Sequence, residues 1–262
     1  MMRRGGTPLV CAALALMLVG CATDAAGHRE ERGATTGSLS GTVTVLAAAS
    51  LTESFDVLAA EFEAQHPGVD VRVAYGGSSA LAAQIVEGAA ADVFASANEA
   101  TMATVEDAGL VEEPRVFATN VLRLVVPPGN PAGVTGLADL AREELLVALC
   151  DPAVPCGAAA ASLLRLAGVA AAPDTLEQDV KAVATKVTLG EVDAGLVYAT
   201  DARAAGDALQ SIPVPDADAV VTRYLVGRLA DAPHPAAADA WMAWLESDRG
   251  KEVLRDAGFG SP

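Results

Sequence analysis

Three short stretches of this sequence place hydrogen-bond donors where an apolar run gives way to an amphipathic one. Ser50 follows the apolar run that begins at Val43. Ser78 and Ser79 follow Gly76-Gly77, and Cys156 sits between Pro155 and Gly157. Each spacing puts the residue at the start of a helix, where N–H groups lack intrahelical acceptors and the helix dipole is positive. A serine adds an O–H donor. The chemistry these positions suit is capture of an anion by neutral donors. Serine at such a place also serves as an ordinary helix cap, and the turns alone leave both roles open.

Covalent catalysis is poorly served. A serine or cysteine nucleophile wants a base, and the histidines are His28, His66 and His234. His66 precedes the helix-ending Pro67, His234 lies between Pro233 and Pro235, and no G-x-S-x-G elbow occurs. The sequence therefore carries no enzyme signature and no cluster of metal ligands. Trp241 and Trp244, three apart on an amphipathic stretch, read as core or rim, not as a sugar-stacking platform. With 17 Lys+Arg against 34 Asp+Glu, the net charge of −17 speaks against nucleic acid, which needs clustered basic residues.

The elements that must position these donors alternate between strand and helix, as in an α/β fold. Strands are expected over residues 43–49, 69–75, 92–95, 122–126, 145–149, 194–198 and 223–229. Helices follow from Phe55, Leu58, Ala59 and Phe62, from Leu81 and Ile85, and from Met102 and Val105. Others follow over residues 158–167, from Val180, Val183 and Val187, and from Ala238, Trp241, Met242 and Leu245. Residues 151–157 read as a loop. Residues 42–119 form a first lobe, 120–222 a second, and 223–262 a return to the first, although periodicity alone does not require that return.

Residues 1–21 read as an export signal. Arg3 and Arg4 precede an apolar run, residues 9–19, too short to span a bilayer. The run ends in Leu18-Val19-Gly20-Cys21, which resembles the lipobox of bacterial lipoproteins, whose cysteine receives a lipid. Residues 22–41 are small and polar, a flexible tether. In an oxidising compartment Cys150 and Cys156, with five residues between them, read as a short-loop disulfide.

Ala47-Ala48-Ala49-Ser50-Leu51-Thr52, Gly77-Ser78-Ser79-Ala80-Leu81 and Ala91-Asp92-Val93-Phe94-Ala95-Ser96-Ala97 together resemble the periplasmic molybdate-binding proteins of ABC transporters. The resemblance continues through Asp151-Pro152, Val154-Pro155-Cys156-Gly157, Glu177-Gln178-Asp179-Val180 and Gly195-Leu196-Val197-Tyr198-Ala199-Thr200-Asp201-Ala202. It implies a two-lobe periplasmic-binding-protein fold of type II, with molybdate or tungstate in the cleft. It also implies a monomer without cofactor or directly ligated metal, lipid-anchored on the outer side of the cell membrane, that delivers its ligand to a separate permease and ATPase. The ligand set it implies is Ser50, Ser78, Cys156, Val180 and Tyr198. Cys156 departs from the usual alanine, which matters little if the contact is a backbone N–H. Molybdate is a dianion near neutral pH and only accepts, so a pocket of donors suits it. Phosphate keeps a proton and wants a carboxylate acceptor, which none of these positions supplies. Sulfate, of the same shape and charge but smaller, is the near competitor.

Overall fold

Consecutive apolar residues favour strands buried on both faces, and β1 (Gly41–Ala48) is buried over its last four residues. The computed structural model describes residues 39–262, so the signal, Cys21 and nearly all of the tether lie outside the described residues. From β1 the chain runs through α1 (Thr52–Gln65), β2 (Val69–Gly76), α2 (Ser78–Val86), β3 (Val93–Ser96), α3 (Glu99–Asp107) and β4 (Val111–Asn120). It then crosses into β5 (Leu122–Val126), β6 (Val147–Cys150), α4 (Pro155–Leu166), β7 (Thr175–Glu177), α5 (Val180–Thr188), β8 (Ala194–Tyr198), α6 (Ala199–Ala205) and β9 (Gln210–Ile212). The last elements are β10 (Thr222–Leu229), α7 (Pro235–Leu245) and α8 (Asp248–Ala257).

Two five-stranded sheets result, ordered β2-β1-β3-β10-β4 and β7-β6-β8-β5-β9. β1 is parallel to β2 and β3, and β6 is parallel to β7 and β8. β10 returns to the first sheet, antiparallel between β3 and β4. Its following helix inserts Trp241, fully buried, edge-on to Phe55 and Phe62 of α1 at 5.8 and 5.6 Å. Such tilted pairs add to the area term of aromatic burial, and they bind the C-terminal helices to the first lobe. Periodicity could not supply this contact.

Several boundaries differ from the sequence expectation. β1 begins at Gly41, inside the stretch read as tether, because its N–H donates to Gly68 O. Asn120 and Thr222 face each other within the first sheet, so the crossovers to the second lobe begin one residue further in at each end. Residues 155–157, read as the end of a loop, are already helix. Pro155 occupies the first helical position, where a fixed φ helps and no N–H is needed. Residues 145 and 146 precede β6, since Leu146 N–H is taken by Asp193 Oδ2. β4, the short strands β7 and β9, and α6 carry too little apolar period to be foreseen.

Candidate functional site

Every donor turn named above follows the carboxyl end of a parallel strand or of β8, the edge at which open α/β sheets hold ligands. Ser50 lies in a 3-10 turn between β1 and α1, and Ser78 is the first residue of α2 after β2. Cys156 is in the first turn of α4 after β6, Val180 opens α5 after β7, and Tyr198 ends β8. All five line one cavity between the two sheets, and each is at least nine-tenths buried. The cavity is small, with about 20 Å³ open to the centre of a water-sized sphere. That suits one compact ion and is far below the space a sugar or a larger ligand requires.

The polarity of the donors follows from their other bonds. Ser78 Oγ accepts the Ala97 N–H at 3.0 Å, which leaves its own hydrogen to donate. Ser50 Oγ lies 2.7 Å from Tyr224 Oη. Neither serine caps its helix: their hydroxyls bond Tyr224 and Ala97, and Leu51 and Gly77 hold the cap positions of α1 and α2. The first intrahelical bonds of α2 and α4 come from Leu81 and Ala158, so the N–H groups of Ser78 and Cys156 have no helical acceptor. Asp179 is the one charged residue lining the cavity, and its carboxylate is engaged in capping α5 through the Ala182 N–H at 2.9 Å. The Val180 N–H, two residues before Ala182 in that first turn, is again without a helical acceptor. Tyr198 Oη is fully buried and has no partner within the protein. Burial pushes the phenol well above its ordinary range, so it stays a donor at neutral pH. No lysine or arginine lines the cavity, which avoids burying a cation that would need its own partner.

Around this cavity the lobes touch. Gly77 of the first lobe faces the Gln178 carbonyl of the second so closely that a Cβ would collide with it. Ser79, which the sequence left between cap and ligand, does neither: its Oγ donates across the cleft to Ala153 O at 2.9 Å. Lys181 Nζ reaches Glu53 of α1 at 2.6 Å and Asp201 of α6 at 3.1 Å. Burial pushes the Asp201 carboxyl up to about 6, opposed by the Lys181 charge. Sequence reasoning had no means to find this cross-lobe pair, since Glu53 and Lys181 are 128 residues apart. It also missed Tyr224 behind Ser50, a fully buried tyrosine on β10.

Cys150 and Cys156 are bonded through their sulfur atoms, with Cα atoms 5.7 Å apart. The bridge ties the end of β6 to the first turn of α4, and the Cys156 side chain is spent there. The two described histidines offer the cavity no base. His66 packs on the Phe62 ring at 4.5 Å, and the His234 N–H donates to buried Asp92 at 2.6 Å. Among the described residues no cluster of His, Cys, Asp and Glu is arranged to hold a metal ion.

Residues 43–260 match the bacterial extracellular solute-binding protein family. The chain is 39% identical over 257 residues to the molybdate-binding protein ModA of Mycobacterium tuberculosis, covering 98% of this chain and 97% of that one. It is 30% identical to the putative ABC transporter substrate-binding lipoprotein YvgL of Bacillus subtilis, covering 93% of each. In three dimensions it resembles the periplasmic molybdate-binding protein of Azotobacter vinelandii, with a TM-score of 0.71 at 22% identity over 84% of this chain and 99% of that one. That likeness is one of fold: two α/β lobes with a cleft between them.

Proposed function

The chain belongs to the bacterial extracellular solute-binding protein family, and from that premise we propose that it captures molybdate, and with it tungstate, for an ABC transporter. A solute-binding protein is not an enzyme, and the ligand is cargo, not a cofactor. The carrying observation is the convergence of neutral donors on one cavity: Ser50, Ser78 and Tyr198 offer hydroxyls, and Ser78, Cys156 and Val180 offer N–H groups, while the Asp179 carboxylate in the lining is engaged in capping α5. A fully ionised tetrahedral anion accepts at every oxygen and matches such a lining. The 39% identity to a molybdate-binding protein over nearly the whole chain supports the choice of anion. Negative surface charge is screened beyond about 8 Å in physiological salt, so capture works through local dipoles.

Delivery would fall to a separate permease and ATPase, the arrangement that the ABC transporter context of the relatives supports; no described helix is long and apolar enough to cross a membrane. Lipidation at Cys21 would hold a monomeric receptor at the outer face of the cell membrane. The lipobox-like Leu18-Val19-Gly20-Cys21 and the relative named a lipoprotein support this reading. The test is calorimetric titration of the purified protein with molybdate, tungstate, sulfate and phosphate. Molybdate and tungstate are expected to bind tightly, sulfate weakly and phosphate least. Equal affinity for sulfate would reduce the assignment to a general tetrahedral oxyanion receptor.

A further inference from the structure

Behind Ser50 runs a buried hydrogen-bond chain whose direction can be deduced. Asn120 Oδ1 accepts the Val121 N–H at 3.0 Å, which fixes the amide. Its Nδ2 therefore faces Thr200 Oγ1 at 3.0 Å and Tyr224 Oη at 3.5 Å. The Tyr224 phenol, fully buried, then has Ser50 Oγ at 2.7 Å as its acceptor. Of the two hydrogen-bond partners of Tyr224 Oη, Asn120 Nδ2 is a donor, so Ser50 Oγ is the one that can accept the phenol hydrogen.

We propose that Tyr224 is a positioning residue that makes Ser50 an obligate donor: Asn120 donates to Tyr224, Tyr224 to Ser50, and Ser50 to the anion. This rests on the reading of the cleft as an oxyanion site and adds to it a basis for selectivity. A serine hydroxyl can normally turn to accept, and so could receive the proton of hydrogen phosphate. With one lone pair taken from behind by Tyr224, the Ser50 hydrogen is left to point into the cavity, and an anion O–H that used the remaining lone pair would leave that hydrogen without an acceptor. Discrimination against protonated anions is thereby enforced by residues that never touch the ligand. Asn120 ends β4 and Tyr224 lies on β10, so the relay is anchored on paired strands of the first sheet and not on a loop. Burial also holds the phenol protonated, far above its ordinary range.

Tyr224→Phe tests this while keeping the ring, which packs edge-on against Phe117, Tyr198 and Phe259. Tyr224→Phe, Ser50→Ala and the double variant of the full chain are titrated with molybdate, sulfate and phosphate near pH 7. For whichever dianion the wild type binds best, Tyr224→Phe is expected to weaken binding about tenfold. The double variant should bind no more weakly than Ser50→Ala, and the preference over phosphate should narrow in Tyr224→Phe. Additive losses in the double variant, or wild-type binding by Tyr224→Phe, overturn the relay. Should Tyr224→Phe fail to fold, Asn120→Asp reverses the chain. Its carboxylate accepts from Tyr224, Tyr224 from Ser50, and a lone pair turns to the cavity. That variant should lose dianion affinity and gain on phosphate, and unchanged selectivity sinks the proposal. A wild type that prefers sulfate to molybdate removes the molybdate assignment but leaves the cycle readable on sulfate. A wild type that binds no tetrahedral anion removes both.

Discussion

The two lobes present the same kind of group to the cavity by different means. The first lobe offers the hydroxyls of Ser50 and Ser78, each with its oxygen already bonded to another part of that lobe. The second offers main-chain N–H groups at Cys156 and Val180, together with the Tyr198 phenol, which has no protein partner. Donors of the first kind are fixed before any ligand arrives and can be deleted one at a time. The N–H donors of the second lobe are fixed by the course of the backbone, and side-chain substitution reaches them only through the turns that carry them; Tyr198 is the side-chain donor there that a single substitution removes. What the lobes share is the line along which they meet, where the tolerance is least.

The sharpest way to break the comparison is therefore to keep the lobes apart. Gly77 is extended, with φ −61° and ψ 126°, so alanine fits its backbone. The obstacle is the Gln178 carbonyl of the facing lobe. A main-chain atom cannot swing aside, so overpacking here falls at the upper end of its range, about 3 kcal/mol. Gly77→Ala should weaken molybdate binding roughly a hundredfold. Its thermal melt should stay near that of the wild type, because neither core is touched. A large drop in melting temperature would show that this glycine serves the fold of one lobe and not the meeting of two.

A smaller effect separates the lobes from each other. Ser78→Ala removes a donor to the anion, worth about 2 kcal/mol or roughly thirtyfold in affinity. It also strands the buried Ala97 N–H, so the empty protein should lose about 1–3 kcal/mol of stability. Tyr198→Phe should lose comparable affinity at no cost to the empty protein, because its O–H is unpartnered there. Calorimetry and denaturant unfolding of both variants, with and without molybdate, distinguish the two patterns. Equal stability losses would mean that Tyr198 has a protein partner in solution.

How much of this was legible beforehand depends on whether local sequence decides the feature. β5 and β8 run over the expected residues because a continuous apolar run bounded by turns allows little else. Four positions of the proposed ligand set lie in turns or at helix starts whose position follows from local pattern, and Tyr198 ends one of those strands. The polarity of Ser50 was not legible. It depends on Tyr224, 174 residues away, and on an asparagine at a crossover that no period marks. Lys181 and Glu53 likewise read as ordinary solvated charges until the fold brings them together. Local chemistry announces donors; only tertiary structure says which way their hydrogens point.

The smallest expected effect concerns the bridge beneath the second lobe's N–H donors. Cys150 and Cys156 close a loop of about seven residues, for which the chain-entropy estimate is about 2 kcal/mol. In a domain of this size that corresponds to a fall of roughly 4–8 °C in melting temperature on reduction. The same turn is held by other bonds. Asp151 N–H donates to Glu177 O at 2.9 Å, Val154 N–H to Asp151 O at 3.0 Å, and Ala153 N–H to Asp151 Oδ1 at 2.8 Å. Gly157 packs against the Asp151 carbonyl with no room for a Cβ, so the first turn of α4 has one seat whether or not the sulfurs are joined. Reduction should therefore lower stability clearly but weaken molybdate binding by less than about tenfold, or 1.4 kcal/mol. Titration and thermal melts with and without reductant, with Cys150→Ala/Cys156→Ala as the permanent form of the reduced state, measure both. If affinity falls by more than the stability change, the hydrogen bonds do not hold the Cys156 N–H by themselves. The second lobe's donors would then depend on one covalent tie, as the first lobe's Ser50 depends on Tyr224.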